Sequence, residues 1–152
     1  MSDAHRPVYR RAVVALNGGP SDARIVRLVA DIARGSKAEL IAIHVVEIDW
    51  TLPLDADIAG RSEEVQRILD MAEEVAEESK LTLEPVLLQA RDVGAAIIDE
   101  STERGADLLV VGLPYRKRFG GEFALGRTIP YLLQNAPCAV WVVRDPIAEE
   151  AP

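Results

Sequence analysis

The sequence predicts an α/β fold: a five-stranded, parallel, doubly wound sheet in the order 3-2-1-4-5, with helices on both faces. Three observations predict it. Short apolar runs alternate with segments whose apolar residues recur at helical spacing. The runs are apolar on both faces, as strands covered from two sides are. Two of them, the first and the fourth, end in glycine-rich loops.

RAVVALN (Arg11 to Asn17) reads as the first buried strand. SDARIVRLVADIARGS follows, with Ile25, Leu28, Val29 and Ile32 on one helical stripe. Ser21 is the expected cap of that helix, and Gly35 the expected stop. ELIAIHVVEI is the second strand. EVQRILDMAEEVAEES repeats the helical pattern at Val65, Ile68, Leu69, Ala72, Val75 and Ala76. TLEPVLLQ is the third strand. Asp92 is positioned to cap VGAAIIDESTER, which Gly105 ends. DLLVVG, the short helix IPYLLQNA and CAVWVVR complete the alternation, with Thr128 as the expected cap of the last helix. Right-handed crossovers and two halves wound in opposite directions give the strand order. The long stretch DWTLPLDADIAGR reads as a lid or binding loop.

The totals bound the function. The 152 residues fit one domain over the whole chain, with 1–8 and 147–152 as flexible tails. A net charge of -8 argues against a nucleic-acid partner. No apolar run is long enough to span a bilayer, and the N-terminus lacks a signal-peptide pattern, so a cytoplasmic location is expected. The single cysteine, Cys138, excludes an intrachain disulfide framework and a multi-cysteine zinc site. It reads as a small core residue.

In the order 3-2-1-4-5 the winding reverses between strands one and four, and ligands of open α/β sheets bind beyond that point. Both glycine-rich loops, NGGPSD and GLPYRKRFGGEFALGRT, lie there. Backbone amides of the two loops are expected to converge on a small anion. Gly126, Arg127 and Thr128 open the last helix, where Arg127 adds a charge-assisted contact to phosphate. The run Arg116-Lys117-Arg118 is either a solvated loop or a clamp over phosphates. Phe119 and Phe123 are expected to pack that loop down. Asn17 is either a ligand for a ribose hydroxyl or base edge, or an Asn-Gly turn residue. Asp22 is expected to serve the helix start. Trp50 either covers a ligand or shields the helix beneath it. His44 reads as a core histidine, because no nucleophile or acid at useful spacing accompanies it. Asp49, Asp55 and Asp57 form no calcium pattern, and no metal site or catalytic constellation is expected.

The pieces RAVVALNGG, ELIAIHVVE, ARDVGAAIIDESTERGADLLVVG and LGRTIPYLLQNAPCAVWVVR together resemble universal stress protein domains over nearly the whole chain. The resemblance implies the same five-stranded sheet and, for the nucleotide-binding branch, a G-x2-G-x9-G-[ST] motif after strand four that holds ATP or AMP. Mg²⁺ then accompanies the nucleotide where an acid ends strand one. The matching positions are Ala15 and Asn17 at strand one and Val45 and Val46 after strand two. After strand four they are Val111, Gly112, Gly126, Arg127 and Thr128.

Four departures stand out. Tyr115 holds the second glycine position, and the span from Gly112 to Gly126 is one residue longer than the motif. Arg127 replaces the small hydroxyl residue of the motif, although Thr128 follows immediately, and Asn17 stands where the acid is expected. Gly120 and Gly121 offer a re-routed backbone. The variant looks like domains attached to the cytosolic ends of some amino-acid permeases and antiporters. The resemblance implies an adenine-nucleotide-binding regulatory protein without robust turnover, dimeric through its last strand (139–144). The alternative is a nucleotide-free dimeric interaction module that regulates a membrane transporter. A nucleoside-phosphate hydrolase is a third reading, without a water-positioning acid or base to support it.

Overall fold

The structure, a computed structural model, describes residues 7–53, 62–113 and 126–146. Nine elements alternate among the described residues. They are β1 (Arg11–Leu16), α1 (Asp22–Ile32), β2 (Glu39–Glu47), α2 (Ser62–Glu78) and β3 (Leu83–Ala90), followed by α3 (Val93–Glu103), β4 (Leu108–Leu113), α4 (Thr128–Asn135) and β5 (Ala139–Arg144). The strands form one sheet in the order β3-β2-β1-β4-β5. All four pairings are parallel, with Val14 opposite Ala42 on one side and Val110 on the other. The predicted fold class and strand order are those observed.

The period of two along each strand sorts side chains into two cores. Ala12, Val14 and Leu16 face α1 and α2, where they meet Ile25, Val26, Val29, Leu69 and Ala72. Val13 and Ala15 face the other way, with Ile41, Ile43, Leu109 and Val111 against Ile97 of α3 and Ile129 and Leu132 of α4. Each fully buried aliphatic side chain stabilises the fold by about 1.5–3 kcal/mol. Both cores therefore anchor the central strands β1, β2 and β4. Pro85, which lacks an N–H, is confined to β3 at the edge of the sheet.

The turns are mostly as expected. Asp92 caps α3 by accepting from the Ala95 amide at 3.1 Å. Gly35 and Gly105 take positive φ just beyond α1 and α3. Two expected caps are corrected. Ser21 precedes α1 in a helical conformation and makes no capping bond; its Oγ instead donates to Asp145 Oδ2 at 2.5 Å. Thr128 is the first residue inside α4, not its cap, and Arg127 takes the capping position without a side-chain bond. The loop after β5 is thereby tied to α1, because Arg24 also pairs with Asp145 at 2.8 Å. At the other end Tyr9 is buried and donates its hydroxyl to the Val29 carbonyl at 2.7 Å, which fixes the chain just before β1.

Candidate functional site

Where β1 and β4 diverge, a cleft of about 360 Å³ opens on the α3/α4 side of the sheet. Its floor is apolar: Ala15 from β1, Ile43 and Val45 from β2, Val111 from β4, Val93 and Ile97 from α3, and Ile129 and Leu132 from α4. Its rim is polar, with Asn17, Glu47, Arg127 and Thr128. A cleft of this size and make-up takes a flat, partly apolar small molecule with a polar end.

Ala15, Asn17, Val45, Val111, Gly112, Gly126, Arg127 and Thr128, all predicted from sequence, line this cleft. Val46 does not. Successive strand residues point to opposite faces, so Val46 is 8% exposed within the core on the α1/α2 side. It lines a separate hollow beside Gly18, His44 and Ile68. Arg116 lies outside the described residues, as do Tyr115, Lys117, Arg118, Phe119, Gly120, Gly121, Phe123, Asp55 and Asp57. The α3 and α4 contributions, Val93, Ile97, Ile129 and Leu132, were missed as site residues. Their signal was present as the apolar stripes of those helices, which reads as core until the cleft is seen to open onto it.

The first glycine loop turns its Asn17, Gly18 and Gly19 amides onto side chains of its own. The Asp22 carboxylate accepts from the Asn17 amide at 3.1 Å and from the Gly18 amide at 2.8 Å. Asn17 Oδ1 accepts from the Gly19 amide at 2.7 Å. The expected convergence of both loops on one anion is therefore corrected: the chain supplies its own anion at β1. Asn17 takes the turn role, with its Nδ2 unengaged among the described residues. Asp22 is 3% exposed. Burial pushes its carboxyl above the ordinary value, while the two amides and the nearby His44 pull back. His44 faces α2 on this side of the sheet, and its Nδ1–H donates to the Leu16 carbonyl at 3.1 Å. That bond makes it a half-buried structural histidine.

The second loop is different. Gly126 has φ +75, a left-handed conformation that suits glycine. Arg127 follows at the head of α4, exposed and without an ion pair among the described residues. The amides of Thr128 and Ile129 have no acceptor among those residues either, and Pro130 adds no donor. Among the described residues, two amides without an acceptor, an unpaired guanidinium and the positive end of α4 border one end of the cleft. Gly112 serves another purpose. A Cβ there would meet Ile25 Cδ1 at 2.5 Å, so the missing side chain lets α1 lie close to β4 rather than clearing space for a ligand.

No cluster of three or more His, Cys, Asp or Glu side chains suited to a metal ion occurs among the described residues. No helix among them is long and apolar enough to cross a membrane.

Comparison with known proteins agrees with this fold. The chain is 31% identical over 141 residues to the sensor protein KdpD of Mycobacterium tuberculosis. The match covers 93% of this chain and 15% of the relative, so the chain spans a small part of that sensor's length. A universal stress protein solved in complex with cAMP superposes with a TM-score of 0.66 at 23% identity, over 90% of this chain and 97% of the other. The universal stress protein of Archaeoglobus fulgidus, solved in complex with dAMP, gives 0.68 at 20% identity, over 90% and 98%. The family model for the universal stress protein family matches residues 8–144. With the sheet order, the switch-point cleft and this match in agreement, the chain belongs to the universal stress protein family.

Proposed function

We propose that the chain binds an adenine nucleotide in the switch-point cleft and acts as a regulatory stress-response protein without robust turnover. The observation that carries this reading is the polarity of the cleft. An apolar floor of Ala15, Val45, Val111 and Ile97 suits a purine. The Gly126–Arg127–Thr128 turn suits phosphate. Two proteins of the same family and fold, solved with cAMP and dAMP, support the ligand class. Because Asp22 already occupies the β1 amides, the phosphate lies at the head of α4. With one free guanidinium there among the described residues, AMP is as well matched as ATP, and any Mg²⁺ travels with the nucleotide. The chain acts as a homodimer through β5 (139–144), in the cytoplasm, as a single domain.

A second reading is favoured by the match to one segment of a larger sensor. In it, the domain is a nucleotide-free module that regulates a partner, such as a membrane transporter. A panel of ATP, ADP, AMP and cAMP, each with and without Mg²⁺, separates the two. Binding at about 100 times the dissociation constant raises stability by about 2.7 kcal/mol, visible as a higher Tm. A flat response to the whole panel rejects the nucleotide reading in favour of the second.

A further inference from the structure

The cleft has a neighbour. Glu47, Arg127 and Thr128 form part of its lining and also part of a second chamber of about 350 Å³, completed by Trp50, Arg91, Asp92, Gly94 and Tyr131. The two spaces therefore adjoin at the turn that opens α4.

The second chamber is a built feature. The Arg91 guanidinium donates to the Asp49 carbonyl at 2.9 Å and to the Leu52 carbonyl at 3.0 Å, which pins the segment after β2. Trp50, in that segment, lies with its ring centroid 5.0 Å from the same guanidinium. One face of the indole is thus held by a cation, yet the residue is 79% exposed. It covers no helix. Across the chamber Tyr131 packs against Gly94, where a Cβ would meet the ring at 2.8 Å, and remains 38% exposed. Two aromatic rings are fixed from behind and open in front.

Charge decides what fits. Arg91 and Arg127 are matched in number by Glu47 and Asp92, so the chamber as a whole carries no net charge and its attraction for phosphate is confined to the Arg127 end. Its distinguishing property is aromatic surface, with carboxylates able to accept from hydroxyl or amino groups. Base–aromatic stacking tolerates any flat ring.

We propose that this chamber takes a second planar ring, so that the preferred ligand is a dinucleotide. One adenosine lies in the switch-point cleft, the linking phosphates lie at Arg127 and Thr128, and the second ring stacks on Trp50. This rests on the nucleotide reading above and extends it.

The test compares AMP and ATP with NAD⁺ and diadenosine tetraphosphate, by calorimetry, on wild-type protein, Trp50→Ala and Trp50→Phe. The expected result is that a dinucleotide binds roughly ten-fold more tightly than AMP, the scale of one stacking contact. Trp50→Ala removes that advantage with AMP affinity unchanged, and Trp50→Phe retains it. Because Trp50 is exposed, the variants keep the fold, which their unaltered Tm will verify. Dinucleotides no tighter than AMP, or an advantage that survives Trp50→Ala, overturn the proposal while leaving the nucleotide reading intact. Absence of AMP binding to the wild type overturns both.

Discussion

At the scale of single residues, Asp22 decides what the first loop can do. A carboxylate that takes both the Asn17 and Gly18 amides withholds those two backbone donors from a phosphate. The sequence placed Asp22 near the helix start, but its reach back across the loop depends on backbone geometry that residue types do not encode. Asn17 was legible as a turn residue because Asn-Gly pairs favour that bond. The raised Asp22 pKa has a signed consequence. Folded Asp22 holds its proton more tightly than the unfolded chain does, so its contribution to stability falls as pH rises from the ordinary carboxylate value to the raised one. Above that window it is flat. Denaturant melts between about pH 3 and pH 7 should show this slope in the wild type and not in Asp22→Asn. An identical pH profile in the variant would mean that Asp22 is not perturbed by its burial.

At the scale of elements, the strands and helices were readable because period and composition agree at every one of them. Caps were less readable. Ser21 has φ -80 and ψ -15, a helical rather than extended conformation, so its hydroxyl cannot reach the amides it was expected to satisfy. Arg127 likewise stands at the head of α4 in a helical conformation, one residue before the Thr128 expected to cap. Gly112 shows how an element contact can resemble a ligand motif. Its position near the end of β4 matches a phosphate-cradle glycine, but its missing Cβ is filled by Ile25 from α1. Gly112→Ala should therefore cost about 1–3 kcal/mol of stability through overpacking, read from urea unfolding. Nucleotide affinity should change little. Affinity lost without a stability change would return Gly112 to the ligand. Conversely, the floor residues of α3 and α4 were invisible as a site because an apolar stripe looks the same whether it meets a strand or a ligand.

At the scale of the whole molecule, the order β3-β2-β1-β4-β5 leaves β3 and β5 with one edge each that is unpaired among the described residues. On β3 that edge carries Pro85 and Glu84, which discourage further pairing. On β5 the strand reads AVWVVR, with four half-buried apolar residues in succession. An apolar edge of this kind supports association with a second copy. Sedimentation should give a dimer for the wild type and a monomer for Val142→Lys, since an edge lysine blocks strand pairing; a monomeric wild type would remove the dimer from the account. The same topology creates the cleft, and the central claim is that a nucleotide base lies in it over Ala15. Ala15→Phe fills that floor from the α3/α4 side. The most direct measurement is calorimetric titration of AMP into wild-type and Ala15→Phe protein, both verified as folded by their Tm. The account predicts saturable binding to the wild type and a loss of at least about 100-fold in the variant, the scale of a binding contact replaced by a clash. Equal affinity in the two proteins would contradict it and move the nucleotide out of the cleft.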